Sequence, residues 1–470
     1  MSFIKRYLTT IVAVIVILAI VTVGMIYSIL LLSKKETTKR AFIMVTPLTG
    51  GGLYDSETGE ELWDPFPFDV DMSNIYLTMG KILAVQEDLD TLMGIIDPLI
   101  IGDMENSIFG KLAMDQYGNS INKNIKPSND LDPAKTDLYY GAMGANKAMM
   151  TELSTIYGEK CDVKMFNYDW RLSNAHSADL LEEFIRENGY TEVILASHSM
   201  GGVVVSRYLS KSEENRQKVK AFLPFSAPFL GSIDALKYLE DLGGFIQALL
   251  SSVGGINYDK TTNTLNIATI SIKLNPLLNY LQEFIRSCPS IIQLLPSYEF
   301  FESDQYVKDG TPGLTYNGTA ITSADELYDF YTTREWAYLR DDKGNILLDS
   351  EGKQQLKPYV ADLRSFHDSI YVTNSDGEKV LSTTLVDTYY IVGQGQNTLI
   401  YYSSNTDQPA TLGSNLLGDG VVPLYSQIGG QTIDLVTREN RLRLFNGTHG
   451  DTGSWLVIRD TVLSILETLL

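Results

Sequence analysis

Histidine is scarce in this chain. Four occur in 470 residues: His176, His198, His367 and His449. They are scattered and make no ligand pair at helical spacing, so metal catalysis is unsupported and no metal is expected. Cysteine is scarcer still. Cys161 and Cys288 stand alone; they could pair or stay free, and they say nothing about compartment. Positive charge is in deficit. Against 58 Asp and Glu there are 37 Lys and Arg, a formal net charge of −21, and beyond residue 40 the balance is 31 against 57, or −26. Such an acidic chain argues against nucleic acid and against electrostatic capture by anionic lipid. Any membrane contact is expected to be hydrophobic. Low-complexity tracts and internal repeats are also absent. A glycine-rich loop, Thr46-Pro47-Leu48-Thr49-Gly50-Gly51-Gly52, is not followed by Gly-Lys-Ser/Thr, so it is no phosphate loop. No cofactor is expected.

Charge is missing in one more place. Leu8 to Leu32 form an uncharged apolar run, preceded by Lys5 and Arg6 and followed by Lys34, Lys35, Lys39 and Arg40. The run is long enough to span a bilayer and too long for a typical signal-peptide core, and no convincing cleavage site follows it. A single N-terminal transmembrane helix is expected over residues 1–40 with its linker; secretion after cleavage is the alternative. Positive charge at both ends leaves the orientation open.

The most informative stretch is Ser197-His198-Ser199-Met200-Gly201. The apolar run Glu192-Val193-Ile194-Leu195-Ala196 precedes it and Gly202-Val203-Val204-Val205 follows. Strand, sharp turn and helix with a serine at the tip is the nucleophile-elbow pattern of α/β-hydrolases. Ser197 stands where glycine is usual, but it is small enough for the close passage of strand and helix; Gly201 keeps the pattern.

A serine hydroxyl needs a base within reach, and the base needs an orienting carboxylate. In this fold the chain order is serine, acid, histidine. His176 and His198 precede the nucleophile, and His198, adjacent on the turn, should point elsewhere. His367 sits in an amphipathic helix of a polar region, where a solvated or capping role is expected. His449 follows the strand Arg441 to Asn446, in a loop of the kind that carries functional residues in α/β sheets. Asp419, bracketed by Gly418 and Gly420, is the candidate acid. The oxyanion donors are expected to be the backbone N–H of Met200 and the backbone of Leu48 or Thr49 in the glycine-rich loop.

Strands are expected at residues 41–45, 163–166, 192–196, 219–225, 389–393 and 441–446, alternating with helices at 177–188, after the elbow, and from 451 to 470. That alternation argues for a mainly parallel sheet covered by helices, split between residues 41–232 and 385–470, with an inserted cap at 233–384. Asp169 and Arg171 read as a buried ion pair fixing a loop. In the cap, 236–253 and 274–285 read as apolar helices, and Phe245, Ile246, Leu249 and Leu250 could line an acyl groove or simply pack. The aromatic cluster Trp63-Asp64-Pro65-Phe66-Pro67-Phe68 suits a lipid-facing loop or a satellite core. Residues 341–353 read as a surface hairpin.

Several segments together resemble the lecithin:cholesterol acyltransferase-like α/β-hydrolases, over most of residues 41–470. They are Tyr168-Asp169-Trp170-Arg171, the Ser197–Gly202 elbow, Arg286-Ser287-Cys288-Pro289-Ser290 with Leu294-Leu295-Pro296, and Gly418-Asp419-Gly420-Val421-Val422-Pro423. The resemblance implies Asp419 as triad acid and His449 as base. It implies a lipid or phospholipid acyl donor, with water or a lipid alcohol as acceptor, and a catalytic part outside the cytoplasm. Thr46-Pro47-Leu48-Thr49 departs from the family's oxyanion segment, Val421 replaces its usual threonine, and most of residues 230–385 match poorly. The expected function is therefore a membrane-anchored serine lipase, phospholipase A or O-acyltransferase. A small-ester hydrolase or peptidase on the same fold, and a non-catalytic binding protein, are the alternatives.

Overall fold

The computed structural model describes residues 38–63, 108–242, 256–259, 264–267, 270–273, 275–302, 313–405, 408–433 and 441–470. The expected span over 8–32 lies outside the described residues, as do Asp64 to Phe68 and Phe245 to Leu250. Among the described residues, no helix is long and apolar enough to cross a membrane. Everything below belongs to one compact unit, Arg40–Leu470.

Six strands form the central sheet: β1 (Arg40–Val45), β2 (Asp162–Phe166), β3 (Glu192–His198), β4 (Val219–Phe225), β5 (Tyr390–Gln394) and β6 (Leu442–Asn446). They lie in the order β6-β5-β4-β3-β1-β2, and every neighbouring pair is parallel. All six fall where the apolar runs predict them, within a residue or two. Their density of Val, Ile, Leu and Phe suits strands covered on both faces.

The period-2 alternation of side chains sorts the core into two layers. Phe42, Met44, Met165, Ile194, Ala196 and Leu223 face Met149, Met150 and Leu153 of α1 (Lys147–Tyr157) and Ile458, Val462 and Ile465 of the C-terminal helix. On the opposite face, Ile43, Val45, Val193, Leu195 and Phe222 pack with Leu181 and Ile185 of α2 (Asn174–Glu187) and Val203, Val204 and Leu209 of α3 (Met200–Lys211). Burying each such side chain stabilises the fold by roughly 1.5–3 kcal/mol.

Between β4 and β5 the chain builds α4 (Ile233–Glu240), α5 (Asn275–Arg286), an antiparallel three-stranded sheet (Ile256–Asp259, Thr264–Ile267, Ile270–Lys273) and several short helices. Bridges pairing Arg340 with Ile346 and Leu348 with Gln354 make the expected surface hairpins. Between β5 and Asp419 the chain makes a long excursion. Thr398–Asn405 and Gln408–Asn415 pair antiparallel, and Thr398–Asn405 also pairs in parallel with Leu314–Tyr316. The excursion then returns, and Asp419 bridges Gln396 just beyond the end of β5. The final helix begins later than expected. Asp451–Gly453 is a single tight turn, and α6 spans Trp455–Leu469.

Candidate active site

Ser199 stands between β3 and α3 with φ 51° and ψ −125°. A non-glycine residue at positive φ costs on the order of 1–3 kcal/mol. The surroundings hold it there. Its N–H donates to the Phe225 carbonyl at 2.9 Å, and its carbonyl accepts from Gly202 N–H at 2.9 Å. Two glycines let α3 come this close to the sheet. A Cβ on Gly201 would lie 2.7 Å from the carbonyl oxygens of Val45 and Thr46, and one on Gly202 would lie 2.3 Å from Ala227 Cβ. Ser197 takes the other tight position. It is fully buried, and its hydroxyl has no hydrogen-bond partner among the described residues.

His449 reaches Ser199 from the loop after β6. Its Nε2 is 2.9 Å from Ser199 Oγ, and its Nδ1 is 2.7 Å from Asp419 Oδ2. The three residues come from parts of the chain up to 250 positions apart. Each loop is tied down locally. Asp451 Oδ2 accepts from the amide and hydroxyl of Thr448, at 2.7 and 2.9 Å, and so fixes the residue before His449. Asp419 Oδ1 accepts from the amides of Val421 and Val422, at 2.9 and 2.7 Å. Burial by itself would raise the Asp419 carboxyl, but the facing His449 ring and those two amides hold it below the usual aspartate range. It therefore faces the imidazole as an anion. Val421 contributes through its backbone, so the absence of a threonine there leaves this contact intact.

Beneath the constellation Gln427 joins three segments. Its Nε2 donates to the carbonyls of Gly393 and Val422, and its Oε1 accepts from Gly393 N–H and the Ser226 hydroxyl. The end of β5, the residue after β4 and the Asp419 loop are thereby locked to one buried amide.

The oxyanion candidates lie on both sides of Ser199. Met200 is fully buried at the first position of α3, where helix N–H groups have no intrahelical acceptor. Leu48 lines the cavity above Ser199. Thr49 follows it at φ 61°, with its carbonyl receiving Trp63 Nε1–H at 2.6 Å. Trp63 in turn packs on Trp170 with ring centroids 4.9 Å apart, so this part of the aromatic cluster is core.

The cavity has a volume of about 240 Å³. Pro47, Leu48, Pro228, Ala235, Leu294 and Val422 supply much of its apolar wall, and Ser199 and His449 open into it. His198, Ser232, Asp234 and Tyr238 also line it; of these, sequence reasoning considered only His198 and expected it to point elsewhere. His198 does not point away. Its Nε2 lies 3.0 Å from the His449 carbonyl, and burial and the nearby His449 push its ring down to about 3, so it is neutral. Asp234, on the first turn of α4, is buried with one carboxylate oxygen unpartnered among the described residues. An aspartate following the cap Ser232 reads from sequence as a helix-start residue, so no local signal marked it.

The other expected residues lie elsewhere. Asp169 and Arg171 form a buried pair, with Arg171 Nε 2.9 Å from Oδ1 and Nη2 2.6 Å from Oδ2, away from the cavity lining. His367 corrects its reading as a solvated or capping residue. It is buried, its Nε2 meets the Gln293 carbonyl at 3.3 Å, and its Nδ1 meets the Tyr328 hydroxyl at 2.9 Å. Both partners come from distant segments of the chain, so the polar sequence around His367 did not reveal that its ring is covered. His176 is exposed on α2. Cys161 and Cys288 are both buried and free.

Residues 134–310 match the family model for lecithin:cholesterol acyltransferase. The matched stretch contains Ser199 and the Asp169–Arg171 pair; Asp419 and His449 lie beyond it. No curated protein matches the chain. Among solved structures, the chain is similar to one described as "The crystal structure of Tle4-Tli4 complex", at 14% identity and a TM-score of 0.36, covering 84% of this chain and 90% of that one.

Proposed function

We propose that this chain, lecithin:cholesterol acyltransferase-like across residues 134–310, is an α/β-hydrolase that transfers acyl groups from lipid esters through an acyl-enzyme on Ser199. The observation that carries the reading is the continuous contact from Asp419 through His449 to Ser199, 2.7 and 2.9 Å long.

In this reading His449 Nε2 takes the Ser199 hydroxyl proton as Oγ attacks the ester carbonyl. Asp419 holds the ring by Nδ1 and stabilises its charged form. The amide of Met200 and the backbone of Leu48 or Thr49 receive the oxyanion. Collapse of the tetrahedral intermediate breaks the bond to the leaving alcohol, which takes the proton from His449. Water or a second alcohol then attacks the acyl-enzyme by the same route in reverse. The apolar wall around Ser199 favours lipid acyl chains over peptides. Residues 233–384 act as the cap over this site, and the uncharged run from Leu8 to Leu32 anchors the chain with its catalytic part outside the cytoplasm.

The test is labelling of the full-length chain in detergent with a serine-directed fluorophosphonate. Ser199 takes the label, and Ser199→Ala abolishes it together with ester hydrolysis. Labelling elsewhere, or hydrolysis that survives the substitution, overturns the assignment. Phospholipid and neutral-lipid assays with and without added alcohol then separate hydrolase from transferase.

A further inference from the structure

Asp234 is the anomaly of the cavity. It is 4% exposed, lines the same space as Ser199 and His449, and its Oδ2 has no hydrogen-bond partner among the described residues. Its Oδ1 faces Lys237 Nζ at 3.7 Å. Its backbone is well occupied, since the amide donates to Ser232 Oγ, whose own hydroxyl donates to the Val421 carbonyl in the Asp419 loop. The backbone at Asp234 is thus tied through Ser232 to the loop that carries Asp419, and one side-chain oxygen is left over. A buried carboxylate oxygen without a partner is costly. Tyr238 lines the same wall and hydrogen-bonds the Asp234 side chain, but Oδ2 stays without a partner among the described residues and the rest of the wall is largely aliphatic.

We propose that Asp234 is the specificity residue for the alcohol side of the reaction, its Oδ2 receiving a second hydroxyl of a polyol, such as the free hydroxyl of a glycerol ester. This rests on the acyl-enzyme reading above. Three features select a hydroxyl over an ammonium group. Lys237 already offsets the carboxylate charge on the other oxygen. Burial pushes the carboxyl up to about 6, against the pull of Lys237, so near neutrality it exists in both forms. A hydroxyl pairs with either form, donating to the carboxylate or accepting from the acid, whereas a cation gains charge pairing only with the anion and cannot accept from the acid. The leaving alcohol and an acceptor alcohol use one site, because attack on the acyl-enzyme retraces departure. In that step the bond from the acyl carbon to Ser199 Oγ breaks and a bond to the acceptor oxygen forms. The acceptor's proton passes to His449 Nε2 and then to Ser199 Oγ.

The experiment compares two esters of one fatty acid, the monoglyceride and the propyl ester, on the full-length chain and its Asp234→Leu, Asp234→Ala and Asp234→Asn variants. The readout is the ratio of the two kcat/KM values, which is insensitive to the amount of folded enzyme. The wild type prefers the monoglyceride, and the Leu and Ala variants lose that preference by roughly tenfold to a hundredfold, the worth of one hydrogen bond to a charged group. Asn, which still offers a carbonyl oxygen, recovers part of it. A ratio that is the same in wild type and in the Leu and Ala variants overturns the proposal, as does a wild type with no preference. Fluorophosphonate labelling run in parallel separates the two failures. An unlabelled Ser199 sinks the acyl-enzyme reading itself, whereas a labelled Ser199 with an unchanged ratio sinks only the role of Asp234.

Discussion

His198 Nε2 lies 3.0 Å from the backbone carbonyl of His449, and the two rings sit 5.0 Å apart. One histidine of the elbow thus holds the backbone of the other. The Thr452 hydroxyl reaches the same carbonyl at 2.9 Å. Gly453 leaves the His198 ring its room, since a Cβ there would fall 2.7 Å from the ring. His198 is a positioning residue in this arrangement. We expect His198→Ala to lower kcat/KM on an ester substrate by about tenfold to a hundredfold, the range for a slight misplacement of a reacting group. His198→Gln, which keeps an N–H donor, recovers part of the loss. Full activity in the Ala variant would remove His198 from the mechanism.

Asp419→Asn tests the acid without emptying its site. An asparagine oxygen can still accept from the Val421 and Val422 amides, so the loop and the melting temperature are expected to hold. The anion facing His449 is lost, and kcat on an ester substrate falls by about 10⁴, the cost of the same change in the reference serine triad. A loss smaller than tenfold would assign the acid role elsewhere.

The Asp169–Arg171 pair is expected to matter for stability alone. Arg171→Met leaves Asp169 buried and unpaired and destabilises the protein by about 3–5 kcal/mol. The double variant Asp169→Leu with Arg171→Met recovers a large share of that loss. Urea unfolding of the four members of the cycle measures the coupling. Activity per folded molecule stays near wild type, because neither residue lines the cavity.

Around the elbow, two substitutions to alanine should have opposite signs. Gly202→Ala places a methyl 2.3 Å from Ala227 Cβ, and overpacking of this kind costs roughly 1–3 kcal/mol or more. Ser197→Ala removes a buried hydroxyl that has no partner and is expected to be neutral or to stabilise by up to about 1 kcal/mol. Thermal denaturation of both variants decides the point.

Acid should unfold this protein early. His198 is held down to about 3 and His367 to about 4, both by burial. Their rings take up protons near pH 6.5 in the unfolded chain, so below that pH the unfolded state binds more protons and stability falls. The loss accumulates from about pH 6.5 down to the folded values, at about 1.4 kcal/mol per pH unit for each histidine. Above pH 6.5 neither contributes. His367→Gln is expected to flatten the slope of unfolding free energy between pH 6.5 and 4, which denaturant titrations at several pH values would register. An unchanged slope would mean that His367 is not held neutral.

Sequence by itself determined the six strands of the central sheet and the turn at Ser199. These are local matters: apolar runs long enough for a strand covered on both faces, and small residues where strand and helix cross. Scarcity of histidine and the order of the chain narrowed the base to His449, because only two histidines follow Ser199; many carboxylates competed for the acid, and Asp419 stood out by its flanking glycines and by the resemblance. Tertiary structure decided the rest. The excursion from Thr398 to Asn415 pairs with a strand 88 residues earlier, Leu314 opposite Tyr402, and no local pattern encodes such a partner. His367 reads as polar surface until Gln293 and Tyr328, brought in from elsewhere, close over its two nitrogens. His198 and Asp234 resemble ordinary turn and helix-start residues along the chain. Only the folding of α4 and the β6 loop onto the elbow puts both of them in the wall of one cavity with Ser199.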